Sequence, residues 1–150
     1  MIEPAALLTV ILPAVAALLG LPLGQRSRPL AQDLAVFFTL GAVAAAMAEF
    51  IGVSQDGPQQ GIALFGHADI GLFTLALDLR ADQLSASIAI AAAVVAAGVQ
   101  VYSTAYLSGP GTPEEPTRYR SFAATVSMFT AAMMLVIHAN DLVVLLIGWE

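Results

Sequence analysis

The sequence predicts an all-α integral membrane protein with four complete transmembrane helices, the first half of a fifth, and a short extracytoplasmic β-hairpin between helices 2 and 3. Hydrophobic residues make up 59% of the 150 residues and charged residues only 11%, whereas soluble domains carry about 25% charged residues. These few charges could not cover a water-facing surface, which excludes a soluble enzyme and a disordered chain. The apolar residues also fall into long runs separated by polar loops, and one segment alternates with a period of two.

The helices are predicted from apolar runs of about 20 residues, which is the length that crosses a hydrocarbon core of about 30 Å. These runs cover residues 5–23, 34–53, 84–107 and 122–139, and a fifth begins at Leu142. The first run has no positively charged start and no cleavage site of small residues. We therefore expect a retained membrane helix there and not a signal peptide.

The hairpin is predicted from residues 73–80, where phenylalanine and leucine alternate with smaller or polar residues. Residues 62–65 are the expected partner strand, with the turn at 66–69. Unpaired strand edges are not tolerated in lipid, so the hairpin is placed outside the bilayer. Asp82, followed closely by Ser85, is expected to cap the third helix.

Arginine placement predicts the orientation. Arg26, Arg28, Arg118 and Arg120 lie in loops on one side of the membrane, and Arg80 alone lies on the other. Positively charged loops stay in the cytoplasm. The sequence thus predicts a multi-pass protein of the bacterial inner membrane with an extracytoplasmic N-terminus.

The composition also limits cofactors and partners. The sequence has no cysteine and two histidines, of which His67 is predicted in a loop and His138 in the fourth helix. No cofactor or metal is expected in this chain, because thiolate clusters, c-type haem and bis-histidine haem all need residues that are missing or misplaced. No basic stripe exists for nucleic acid. The expected partners are the lipid bilayer and other membrane subunits.

Glu150 is the main candidate for chemistry. The nine residues from Asp141 to Glu150 span about 13.5 Å of helix, which places Glu150 near the midplane of the membrane. An ionisable group at that depth is a functional candidate by default, here for proton translocation. The alternative is a neutral, hydrogen-bonded glutamic acid that only fixes packing. A chain ending there would leave unpaired carbonyls inside the membrane, so we expect residues 1–150 to be the N-terminal transmembrane part of a longer protein, with the cationic partner of Glu150 beyond position 150.

Two further ionisable residues lie near the outer helix ends. His138 is a candidate proton relay, with an interfacial histidine facing headgroups or water as the alternative. Glu49 is expected to snorkel or to cap the second helix, with a functional role as the alternative. Tyr102 and Tyr106 are predicted to be interfacial aromatic anchors.

Short motifs at the helix boundaries carry a resemblance. They are Asp82-Gln83-Leu84-Ser85, Tyr102 through Leu107, Arg120 through Phe129, Asn140-Asp141-Leu142 and Gly148-Trp149-Glu150. The pattern resembles the N-terminal part of the antiporter-like subunit, chain 5 or L-type, of respiratory NADH:quinone oxidoreductase (complex I). Related Mrp-type antiporter subunits A share the module. His138 is not part of the pattern.

The resemblance implies a membrane subunit without cofactors that contributes an intramembrane proton path to a redox-driven pump. The glutamate matching Glu150 would be a proton-path residue coupled to a lysine on a later helix. Three alternatives stay open: a subunit of a multisubunit sodium/proton antiporter, a subunit of an inorganic-carbon uptake system, and a structural membrane subunit without a proton path.

Overall fold

Long helices account for most of the chain in the computed structural model, which describes residues 2–23, 28–70, 73–106 and 116–150. The elements are α1 (Ile2–Leu23), α2 (Arg28–Asp56), β1 (Gln59–Ile70), β2 (Phe73–Ala81), α3 (Gln83–Tyr106), α4 (Pro116–His138) and α5 (Leu142–Trp149). Four stretches are long and apolar enough to cross a membrane: Ile2–Gly20, Leu30–Asp56, Gln83–Tyr106 and Ser121–His138. The mostly helical architecture with a small two-stranded sheet is thus confirmed. The arginine loops on which the orientation was predicted lie largely outside the described side chains.

Small residues line the contacts between the helices, and large apolar residues face outward. Most of the buried hydrophobic residues are alanines, whereas Phe37 is 71% and Leu18 is 68% exposed. This distribution suits a lipid environment, where outward-facing apolar side chains cost nothing and close helix contact depends on small residues. At Gly52 of α2, an added Cβ would lie 2.7 Å from Ile2 Cγ1 of α1. The close approach of α1 and α2 at this point therefore requires glycine at position 52.

The hairpin is longer than predicted, and its turn lies further along the chain. β1 and β2 pair antiparallel with Ile62 opposite Leu79, His67 opposite Ala76 and Ile70 opposite Phe73. The prediction of a turn at 66–69 is therefore wrong, and so is the placement of His67 in a loop. The glycine at 66 suggested a turn, but the ladder continues past it, with register irregularities between Ala63 and His67.

The hairpin packs on the junction between α4 and α5. Leu79 of β2 forms an isolated antiparallel bridge with Ala139, and the Asn140 N–H donates to the Asp78 carbonyl at 3.2 Å. Leu79 is fully buried. The sheet therefore covers the end of α4 where His138 lies.

Candidate functional site

His138 and Glu49 form a buried pair between α4 and α2. His138 Nε2 lies 2.9 Å from Glu49 Oε1 and 3.1 Å from Glu49 Oε2. Both side chains have 0% exposure. Glu49 belongs to the candidate span Leu30–Asp56 and His138 ends the span Ser121–His138. The pair thus joins two ionisable groups inside the apolar bundle, where an unpaired charge would cost several kcal/mol.

The hydrogen bond of the second ring nitrogen, Nδ1, locates one of the protons of the pair. His138 Nδ1 lies 2.8 Å from the Met134 carbonyl oxygen, which can only accept a hydrogen bond, so Nδ1 carries a hydrogen. One proton is then left for the contact between Nε2 and the carboxyl group. It either resides on Nε2, giving an imidazolium and a carboxylate, or on Glu49, giving a neutral ring and a carboxylic acid. Both arrangements have zero net charge, so the pair holds one shared proton in either form.

The helical repeat of α4 places His138 on the inward face. Ala123, Ser127, Ala131, Met134 and His138 are all buried, and they recur at the three- and four-residue spacing of one helix face. In α2, Glu49 lies about two turns before the helix ends at Asp56. The side chains meet because the inward face of each helix carries its ionisable group near the carboxyl end.

A second buried polar contact joins α3 and α4. Gln100 is fully buried, and its Nε2 donates to the Ala123 carbonyl at 3.0 Å and to Ser127 Oγ at 3.1 Å. Its Oε1 is buried and has no hydrogen-bond partner among the described residues. The Gln100 amide does not titrate, so this contact is a packing feature and not an acid–base site.

Glu150 lies apart from the pair. It follows α5, its backbone N–H donates to the Leu146 carbonyl, and it is exposed on the surface of the described chain. Two residues earlier, a Cβ on Gly148 would lie 3.0 Å from the Ala132 carbonyl of α4. Ala132 precedes His138 by six residues, or about 9 Å along the helix axis. The close contact at Gly148 therefore places this end of α5 further from the hairpin, along the axis of α4, than His138.

Asp141 and Asp82 cap the two helices that follow polar segments. Asp141 Oδ1 accepts from the N–H groups of Val143 at 2.8 Å and Val144 at 2.9 Å. Asp82 and Ser85 form a reciprocal cap, in which the Ser85 N–H donates to Asp82 Oδ1 at 2.7 Å and the Asp82 N–H donates to Ser85 Oγ. The cap predicted at Asp82 is confirmed.

The capping hydrogen bonds also set the acidity of Asp82. The Ser85 backbone N–H lowers the pKa of the Asp82 carboxyl below its ordinary 3.8, and Arg80 lowers it further, while partial burial opposes both. Arg80 Nη2 lies 3.0 Å from Asp82 Oδ2. Asp82 is therefore an ionised cap at neutral pH.

Tyr102 and Tyr106 contact each other and not the pair. Their rings stack at 5.5 Å between centroids, and the side chains are 67% and 66% exposed. Within the described residues, no three histidine, aspartate or glutamate side chains converge as metal ligands.

The expectation for Glu49 was wrong: its side chain neither reaches the interface nor caps α2, but is buried against His138. The interfacial alternative for His138 is likewise wrong, since the ring is fully buried. A usable signal was present in the sequence, because an acid and a histidine were both predicted near the outer helix ends. The sequence did not show which faces of α2 and α4 pack against each other.

Comparison with known proteins gives the chain its relatives. No family model matches it. It is 31% identical over 105 residues to NADH-ubiquinone oxidoreductase chain 5 of Rhizopus stolonifer, covering 70% of this chain and 15% of that protein. It is 29% identical over 118 residues to NADH-quinone oxidoreductase subunit L of Mycobacterium tuberculosis, covering 77% of this chain and 17% of that protein.

A third match extends along the whole chain. Subunit L of Rickettsia felis is 26% identical over 151 aligned residues, covering 100% of this chain and 22% of that protein. The chain thus spans less than a quarter of the length of these relatives. The resemblance inferred from the helix-boundary motifs is confirmed: the chain is a homologue of the proteins named chain 5 and subunit L of NADH:quinone oxidoreductases.

Proposed function

We infer that this chain is the N-terminal transmembrane part of a proton-translocating membrane subunit of an NADH:quinone oxidoreductase. The observation that carries this proposal is the match to chain 5 and subunit L proteins from a fungus and two bacteria. The four apolar helices are consistent with it. In this proposal the redox cofactors belong to other subunits, and the chain lies in a bacterial inner membrane with its N-terminus and hairpin outside.

Glu150 is the proposed proton-exchanging residue of the path. Supporting this role, α5 starts at the Asp141 cap and the contact at Gly148 holds its far end against α4. A carboxyl group carried about 13.5 Å along α5 from that cap lies well inside a hydrocarbon core of about 30 Å. There it takes up and releases a proton as its surroundings alternately favour its neutral and ionised forms.

The test is the ratio of protons translocated to NADH oxidised by the assembled complex in sealed membrane vesicles. Glu150→Gln keeps the size and hydrogen-bonding capacity of the side chain but removes its titratable proton. We expect the complex to assemble and the ratio to fall. Glu3→Gln, which neutralises an exposed carboxyl group of α1, is the control and leaves the ratio unchanged. A normal ratio in assembled Glu150→Gln complex contradicts the assignment.

A further inference from the structure

We propose that Glu49 and His138 together form the outward proton relay of this chain, beneath the hairpin. The proposal rests on the proposed function, since a relay needs a proton path to serve. It assigns Glu49 a role in proton transfer along that path, and it assigns the hairpin the role of an outer barrier.

The hydrogen-bonding pattern suits a relay because Nε2 and the carboxyl group share a single proton, which either partner can hold. The Met134 carbonyl fixes one hydrogen on Nδ1, so Nε2 and the carboxyl group have a single proton between them at 2.9 Å. Moving that proton across the contact changes neither the net charge nor the number of hydrogen bonds. A proton arriving at the carboxyl group from deeper in the membrane gives an imidazolium facing a carboxylic acid, with net charge +1. Loss of one proton outward restores the neutral pair.

The outward side of the pair lies at the hairpin. His138 is followed directly by Ala139, which forms the bridge with Leu79. Beside Leu79, Asp78 accepts a hydrogen bond from the Asn140 N–H through its carbonyl group and donates one to Asp141 Oδ2 through its own N–H. Asp78 Oδ1 is buried without a hydrogen-bond partner among the described residues. Within the described part of the chain, a buried, unpartnered acceptor thus lies on the residue next to Leu79 in the same strand.

The contact between β2 and the end of α4 acts as the outer barrier in this proposal. Leu79 and His138 are both completely buried, so bulk water does not reach the ring while the bridge is closed. Separation of Leu79 from Ala139 would break this bridge together with the adjoining hydrogen bond from the Asn140 N–H to the Asp78 carbonyl, and it would uncover the His138 ring. Transient opening of that bridge is thus the step that releases the proton.

The decisive comparison is between Glu49→Gln and Glu49→Asp in the assembled complex. A glutamine at position 49 has the shape of glutamate and can donate from its amide to Nε2 of the neutral ring, so the contact survives without a labile proton. An aspartate is shorter but still carries one. If the pair is only structural, glutamine preserves activity better than aspartate. If it is a relay, the order is reversed.

We expect Glu49→Gln to lower the ratio of protons translocated to NADH oxidised by more than half, and Glu49→Asp to retain most of it. An unchanged ratio in assembled Glu49→Gln complex overturns the relay.

A second variant covers the case in which Glu49→Gln does not assemble. The double variant Glu49→Gln with His138→Gln places two neutral amides in contact. A lowered ratio in that variant supports the relay, and a normal ratio overturns it. Glu150→Gln measured in parallel separates the two proposals: a defect there with normal Glu49→Gln refutes the relay alone, whereas normal ratios in both refute the proposed function of Glu150 as well.

Discussion

The Asp78 backbone N–H donates to Asp141 Oδ2 at 3.1 Å and so connects the hairpin to the start of α5. The other oxygen of the same carboxyl group caps α5 through Val143 and Val144. One side chain thereby fixes the sheet relative to the first turn of α5. The hairpin is an integral part of the bundle end and not a separate appendage.

Asp141→Ala is expected to weaken this junction. It removes the cap and the bond to Asp78 together, and loss of a cap costs about 1 kcal/mol, up to about 2 kcal/mol. The thermal unfolding midpoint of the purified protein in detergent should fall. Asp141→Asn, which keeps one carbonyl oxygen for the α5 cap, should fall less. Equal midpoints for the alanine variant and the wild type would contradict the role of this junction.

Gly148→Ala is expected to push α5 away from α4. The new Cβ would lie 2.9 Å from Val136 Cγ2 and 3.0 Å from both the Ala132 carbonyl oxygen and Leu135 Cβ, and such overpacking costs about 1–3 kcal/mol. Gly98→Ala is the matched control, because nothing lies within 4 Å of a Cβ there and alanine favours helix by about 1 kcal/mol. Unfolding midpoints should fall for Gly148→Ala and stay or rise for Gly98→Ala. The reverse order would show that α5 does not pack on α4 as described.

Gln100→Leu is expected to destabilise the α3–α4 contact modestly. The change removes the bonds to the Ala123 carbonyl and Ser127 Oγ, and side-chain hydrogen bonds within membrane bundles contribute about 0.6 kcal/mol on average. Ser127→Ala removes only one of them and should lower the unfolding midpoint less. A larger effect of Ser127→Ala than of Gln100→Leu would contradict this order.

Asp82 is expected to make the cap of α3 sensitive to acid. Because its folded pKa lies below the ordinary 3.8, its contribution to stability is complete above that value and is lost as the pH falls through the folded pKa. Asp82→Ala should therefore be less stable than the wild type by about 1 kcal/mol at neutral pH. The gap should shrink in acid below pH 3.8. A difference in midpoint that is independent of pH would show that the ionised carboxyl is not what stabilises the cap.

The membrane-spanning helices could be predicted from the sequence, because a run of about 20 apolar residues is typical of a transmembrane helix and of few other structures. The cap of α3 could also be predicted, because Asp82 stands three residues before Ser85 at the start of an apolar run. The turn was misplaced because a glycine within a strand can mark an irregular ladder as well as a turn.

The contact between Glu49 and His138 could not be predicted from the sequence, because it depends on how the folded helices pack. The two residues are 89 positions apart, and each helix has faces for lipid and for neighbours that similar apolar residues can occupy. An acid near a helix end has a low-cost interfacial position available to it, which made snorkelling the simpler expectation. Burial instead became possible because His138 lies on the inward face of α4 and supplies the missing partner.

The most direct test of the account is the protonation state of the His138 ring, measured by ¹⁵N magnetic resonance on histidine-labelled complex as the difference between wild type and His138→Gln. We expect Nδ1 to carry a hydrogen and Nε2 to share a proton with Glu49, and Glu49→Gln to leave a neutral ring protonated at Nδ1 alone. A wild-type ring that is neutral and protonated only at Nε2 would contradict the shared proton, and with it the relay.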